Sequence, residues 1–256
     1  MSESSVLGNS GADAVLVAVS AGVATITLNR PQARNALNAA MCEGLLRATL
    51  QVTADDAVRV VLIRASGSVF CAGADLKERQ GMSEDQVRAR RLKAFAAYDA
   101  LERLPMPSIA VVTGAAIGSG VEIAATCDFV VATPAASFRT PEALWGTVGA
   151  TQRLPRILGK RLAKDMMFTG RKLSAQAATA SGLVARLVDA DLLDVALAEI
   201  VAIISAAPAT SLRLAKRCID EGVELDPRGA LATELLAIEE NLAKNDWRAC
   251  VASFGQ

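Results

Sequence analysis

Residues 108–133, SIAVVTGAAIGSGVEIAATCDFVVAT, decide the fold. The apolar run at 108–114 is short enough for a buried strand, and a second such run, DFVVAT, closes the stretch at 128–133. Between them GSGVEIA (118–124) reads as a tight glycine turn entering a helix. Glu122 then falls in the first helical turn, where a carboxylate complements the positive end of the helix dipole by about 0.3–1 kcal/mol. Strand, crossover helix and strand form the repeating unit of a parallel α/β sheet. On this stretch alone Glu122 needs no role beyond its helix.

The same grammar extends towards the N-terminus. VATITL (23–28) alternates as a half-buried strand does, and NRPQARNALN turns the chain into a helix near 36–53. VRVVLIRA (58–65) is a buried strand, SGSVFCAGADLKE (66–78) a glycine-punctuated loop entering a short helix, and 84–103 a charged amphipathic helix. From about residue 151 the pattern changes. Segments 159–168, 191–206, 208–222 and 227–243 read as Ala- and Leu-rich helices, with one short strand near LVARLVD (183–189). Gly170 and Gly182 stand where helices end. The expected organisation is a flexible tail over 1–13, an α/β core over 14–190 and a helical region over 191–256.

Composition narrows the chemistry. Lys plus Arg and Asp plus Glu both number 27, so net charge gives no reason to expect nucleic-acid binding, and no basic-aromatic stripe is visible. The five cysteines are scattered without a CxxC pair, which points to reduced thiols in a cytoplasmic setting. The N-terminus has no basic segment leading into an apolar one, so it does not read as a signal peptide, and no apolar run reaches membrane-spanning length. There is no histidine. Histidine-based triads, imidazole bases and imidazole metal ligands are thereby excluded, leaving carboxylates, thiols, lysines and backbone dipoles.

Two glycine-bearing loops, CAGAD (71–75) and GAAIGSG (114–120), each follow an apolar strand. Ligands of α/β proteins gather where strands give way to helices, and free backbone N–H groups there can cradle an anion. Neither loop fits a phosphate-loop or dinucleotide signature. A second acid, Glu142 in SFRTPEALWG, follows Pro141, which fits a first helical turn. Spacing alone allows Glu122 and Glu142 to share a pocket without requiring it, and favours coincidence over function. Cys71 reads as a small buried hydrophobe, RARRLK (88–93) as a solvated helix face or, alternatively, a contact for CoA phosphates, and Trp145 and Met166–Met167 as packing residues.

Taken together, ITLNRPQARNALN, VFCAGADLKE, GAAIGSGVEIAATCDFVVA, FRTPEALWG and TQRLPRILGKRLAKDMMFTGRKLSA resemble the crotonase, or enoyl-CoA hydratase/isomerase, superfamily, over residues 14–250. FCAGADLKERQGMS and AKRCIDEGVELD are similar to the methylglutaconyl-CoA hydratase group. The resemblance implies an α/β fold with a β-β-α spiral core and a helical C-terminal trimerisation region, giving a homotrimer or a hexamer built as a dimer of trimers. It implies an acyl-CoA thioester substrate, no metal and no separate cofactor.

By the same resemblance, the backbone N–H groups of Ala74 and Ser119 form an oxyanion hole, and Glu122 and Glu142 are the hydratase carboxylates. Arg34, Ala36, Ala72, Asp75, Leu76 and Lys77 mark the CoA-contacting stretches, Lys77 towards the phosphates. The chain also departs from its relatives. GTVGATQRLPR is about three residues shorter than the usual PGxGGTQRLPR, beside the water-binding region. Ser119 and Arg139 stand where relatives often have glycine, so Arg139 is expected to alter acyl specificity, and the usual FxEKRxPxF tail is missing. The expected activity is hydration of an enoyl-CoA across its 2,3 double bond; the alternatives are another reaction of the family, such as double-bond isomerisation, and acyl-CoA binding without catalysis.

Overall fold

The computed structural model describes residues 13–252, so the tail expected at 1–13 lies outside the described residues save for Asp13. The chain opens with β1 (Val15–Ser20), β2 (Val23–Leu28), α1 (Ala39–Thr53) and β3 (Val60–Ala65). There follow β4 (Val69–Cys71), α2 (Leu76–Arg79), α3 (Glu84–Glu102), β5 (Ser108–Val112), β6 (Ala115–Ile117) and α4 (Ser119–Thr126). Next come β7 (Phe129–Ala132), β8 (Ser137–Arg139), α5 (Arg153–Thr169), β9 (Leu173–Ser174), α6 (Ala175–Ala180) and β10 (Arg186–Leu187). Four helices complete it: α7 (Leu193–Ala206), α8 (Ala209–Gly222), α9 (Pro227–Lys244) and α10 (Trp247–Ala252).

The strands sort into two sheets, β1-β2-β3-β5-β7-β10 and β4-β6-β8-β9. Apart from the β1–β2 and β8–β9 pairs, every pairing is parallel. Consecutive strands alternate between the sheets: β3 then β4, β5 then β6, β7 then β8. Each such pair is followed by a helix, so the chain advances as a β-β-α spiral, the architecture implied by the resemblance. The sequence reading had one strand per turn. It took 66–78 as loop and 108–114 as a single strand, whereas β4 and β6 are separate three-residue strands in the second sheet.

Side-chain alternation along the large sheet divides the core. Ile26, Val61, Ile63, Ala110 and Val112 face the spiral interior. Val60, Leu62, Ile109, Val111 and Val131 face outward, where Leu193, Leu197 and Ile200 of α7 cover them. Helix α4 lies hard against β4, because a Cβ on Gly120 would stand 2.5 Å from the Cys71 carbonyl oxygen. Gly170 and Gly182 do sit at helix ends with positive φ. Among the described residues no single helix is long and apolar enough to cross a membrane.

Candidate active site

The two glycine loops meet. Gly73 has φ +92°, and a Cβ there would lie 3.0 Å from the Ile117 carbonyl oxygen and 3.9 Å from the Ser119 nitrogen. Only glycine adopts that backbone freely while passing so close. Ser119 is the first residue of α4, where N–H groups have no helical acceptor. Among the described residues, neither its N–H nor that of Ala74 donates a main-chain hydrogen bond. The residues bearing these two unengaged donors both line one cavity of about 100 Å³.

Glu122 and Glu142 line the same cavity. Glu122 is only 7% exposed, and its Oε2 accepts a 2.9 Å hydrogen bond from Arg153 Nη1. Arg153 also grips Glu102, through Nε at 3.0 Å and Nη2 at 2.5 Å, and its guanidinium stands 6.0 Å from the Tyr98 ring centroid. Burial pushes the Glu122 carboxyl above its ordinary range; Arg153, by charge and hydrogen bond, pulls the other way.

Glu142 differs. It lies in a one-turn 3-10 helix, Glu142–Trp145, with Pro141 before it rather than inside a longer helix. Among the described residues no cation pairs with it, and its buried Oε2 has no hydrogen-bond partner. Burial raises its carboxyl, and the charge of Glu122 adds to the effect. A Cβ on Gly118, whose φ is +53°, would come within 2.7 Å of Glu142 Oε1. The acid therefore sits directly over the Gly118–Ser119 turn.

The shortened loop spans both acids. Thr147 N–H donates to the Glu142 carbonyl, Gly149 packs on the Glu142 side chain, and the Ala150 backbone favours the Glu122 carboxylate. Arg91 on α3 holds the loop by donating to Thr147 Oγ1 at 2.8 Å and to the Val148 carbonyl at 3.1 Å.

The expected CoA segments are also neighbours. Leu37 N–H donates to the Gly73 carbonyl, Ala72 N–H to Arg34 and Asp75 N–H to Leu37, so 34–37 and 72–75 run side by side. Asn35 pins this turn, accepting from Arg30 N–H and donating to the Ser66 and Val69 carbonyls. Ala72 and Leu76 line the cavity with Ala74, Ser119, Glu122 and Glu142, whereas Arg34, Ala36, Asp75 and Lys77 lie outside it. Asp75 is structural: it caps α2 and pairs with Arg30 at 3.0 Å. Although burial opposes it, the Arg30 and backbone hydrogen bonds hold the Asp75 carboxyl below its usual range.

Several sequence readings need correction. Within RARRLK, Arg90 is buried, paired with Glu78 and bonded to the Leu37 carbonyl, and Arg91 serves the loop, so the segment is not simply a solvated face. Trp145 is 56% exposed and lines the cavity rather than packing in the core. Arg139 is not a cavity residue, because its Nε donates to the Gly170 carbonyl at 2.6 Å. Arg153, Tyr98 and Arg79 were not singled out from sequence; Arg153 and Tyr98 reach the site from distant segments, and Arg79 lines it from α2, directly after the CAGAD loop. Cys71 is buried, and burial pushes its thiol up to about 12.

A β-β-α spiral that places two free N–H groups and two buried carboxyl groups around one small cavity defines a class of α/β proteins built for acid–base work on an anchored oxygen. The comparisons agree. The model of the enoyl-CoA hydratase/isomerase family matches residues 18–255. YngF of Bacillus subtilis is 40% identical over 237 residues, covering 91% of each chain. The mitochondrial enoyl-CoA hydratase domain-containing protein 2 of Bos taurus is 40% identical over 91% of this chain and 81% of its own. The crystal structure of enoyl-CoA hydratase from Bacillus anthracis superposes with a TM-score of 0.90 at 36% identity, covering 94% of this chain and 95% of that one. The chain belongs to the enoyl-CoA hydratase/isomerase family.

Proposed function

We propose that this protein is an enoyl-CoA hydratase, adding water across the 2,3 double bond of an enoyl-CoA thioester. The observation that carries the reading is the asymmetry of two buried acids beside two free N–H groups. Arg153 beside Glu122 favours its charged form, whereas burial with no bonded cation favours the protonated form of Glu142; Glu122 is therefore assigned as the base and Glu142 as the acid.

The thioester oxygen accepts from the Ala74 and Ser119 N–H groups. Loss of one such donor raises the barrier by about 2.7–4 kcal/mol in comparable sites. Glu122 takes a proton from water as the water oxygen bonds C3, and the π pair moves onto the thioester as an enolate. Collapse of the enolate takes the Glu142 proton onto C2. Glu122 then carries a proton and Glu142 a charge, and exchange with solvent resets both. The reading uses no metal and no redox cofactor; CoA belongs to the substrate.

The exposed cations Arg34 and Lys77, on the paired segments with Ala36, Ala72, Asp75 and Leu76, support CoA binding there. Exposed Ile219, Val223, Leu235 and Leu236 on the C-terminal helices support self-association through 191–256. A second reading, double-bond isomerisation, is favoured by the same asymmetry: an Arg-bound Glu122 leaves Glu142 to shuttle the proton alone.

The test is loss of the conjugated thioester's ultraviolet absorbance with crotonyl-CoA and 3-methylglutaconyl-CoA, for wild type, Glu122→Gln and Glu142→Gln. Hydration predicts one added water by mass and large losses in both variants. Turnover only of 3-enoyl substrates, dependent on Glu142 alone, would establish the isomerase instead.

A further inference from the structure

Arg91, Phe95, Tyr98 and Glu102 recur along α3 at intervals of four, three and four, which puts them on one helical face. That face looks onto the acids. Arg91 and Phe95 line the cavity, Tyr98 lies beside the Arg153 guanidinium, and Glu102 ends the row. Glu122 stands in the partition between two spaces. On one side is the cavity of about 100 Å³; on the other is an open cleft of about 1260 Å³, which Glu102 and Arg153 also line. Arg153 reaches Glu122 from the cleft side and divides its donors unevenly. Nε and Nη2 grip both oxygens of Glu102, at 3.0 and 2.5 Å, while Glu122 Oε2 takes Nη1 alone, at 2.9 Å. A planar guanidinium held at two points has its plane fixed, so the bond to Glu122 is aimed by Glu102. With Glu102 47% exposed, this pair adds little to stability; what it sets is direction.

We infer that Glu102 is a positioning residue: by holding the Arg153 fork at two points it keeps one guanidinium N–H on one oxygen of Glu122 and leaves the other oxygen free of Arg153. This rests on the hydratase reading above, in which Glu122 takes a proton from water. The charged and titratable groups around Glu122 are Arg153 from α5, Arg91, Tyr98 and Glu102 from α3, and Glu142 across the cavity. Of these, only Glu102 and Glu122 bond to Arg153. Without the two-point grip the guanidinium is free to turn into the cleft, and its hold on Glu122 loosens.

Glu102→Asp separates direction from charge, because it keeps the carboxylate but draws it back by one methylene. The control Asp99→Asn, whose carboxylate pairs with Arg103 on the same helix, runs beside it. Two readouts are taken. One is steady-state hydration of crotonyl-CoA and 3-methylglutaconyl-CoA against pH. The other is titration of the Glu122 carboxyl by carbon-13 NMR, its signal assigned by its loss in Glu122→Gln. In Glu102→Asp the expected kcat is about tenfold lower with KM within about twofold of wild type. The Glu122 titration moves up by about half a pH unit or more, since a loosened Arg153 favours the charged form less. The acidic limb of the rate profile moves with it, and Asp99→Asn changes neither readout. Either change alone in Glu102→Asp, or neither, overturns the inference: Glu102 then acts by its charge, by packing, or not at all. A lowered Glu122 titration overturns it too. If wild type hydrates neither thioester, the hydratase reading fails by itself, and the titration alone decides whether Glu102 positions Arg153.

Discussion

Replacing Arg153 by glutamine tests the electrostatic logic of the site most directly. The guanidinium is 17% exposed and bridges Glu122, 8% exposed at its side chain, to Glu102, 47% exposed. The Glu102 arm is solvent-screened, so its loss costs at most about 1 kcal/mol. The Glu122 arm is different: stranding one partner of a fully buried ion pair costs about 3–5 kcal/mol. Glu122 has an escape, because burial already raises its carboxyl and it can take up a proton instead. The sign follows from that. Below the carboxyl's folded pKa Glu122 is neutral in the variant and the loss is confined to the Glu102 arm. Above it the native state must hold a bare buried charge. We therefore expect a loss of about 2–4 kcal/mol at pH 8 and of about 1 kcal/mol at pH 4.5. Urea unfolding of wild type and variant at both pH values reads this difference. In turnover, the limb of the pH–rate profile that reports the base moves to higher pH. A destabilisation equal at both pH values, with an unmoved profile, would mean that Arg153 only packs, and the roles assigned to the two acids would lose their support.

Other substitutions probe the geometry. In Gly118→Ala the new Cβ meets Glu142 Oε1 at 2.7 Å in a positive-φ turn; kcat should fall about 100-fold through displacement of the acid, and unchanged kinetics would deny Glu142 its place. Asn35→Ala removes three hydrogen bonds from a residue with φ +53°. It should cost about 2–4 kcal/mol in chemical denaturation, whereas a loss under 1 kcal/mol would show the turn is held by other contacts. Cys71, with its thiol pushed up to about 12 by burial, should resist thiol-reactive dyes until the protein unfolds; rapid labelling of the native protein, mapped by peptide mass, would contradict the packing of α4 on β4.

What could be read from sequence depended on length and locality. VATITL gave its strand, β2, to the residue because six alternating residues carry a clear period. The helices α7 to α9 were found within two residues of their observed ends, since each is at least 14 residues long. The strands β4, β6 and β8 have three residues each, too few for any period, and they exist because the second sheet pairs them. The site divided in the same way. The acids and glycine turns are local and carry a motif. Arg153 reaches Glu122 across 31 positions and Arg91 reaches Thr147 across 56. No spacing rule exposes such partners.

The short loop and the arginine are one feature. Residues 146–152 join the Glu142 turn to α5, and Arg153 is the first residue of that helix. A connection this short fixes where α5 begins, with Ala150 buried at φ +55° beneath it. It thereby brings the Arg153 guanidinium onto Glu122 while Gly149 and Gly118 pack against Glu142, whose Oε2 has no hydrogen-bond partner among the described residues. Chemically similar acids thus acquire unlike environments from one backbone segment. In a protein without histidine, that separation gives the two carboxyl groups of one cavity unlike environments: burial raises both, and Arg153 opposes the rise at Glu122 alone. Lengthening the loop by three glycines would free Arg153 from Glu122, and the two acids would then compete for a single proton.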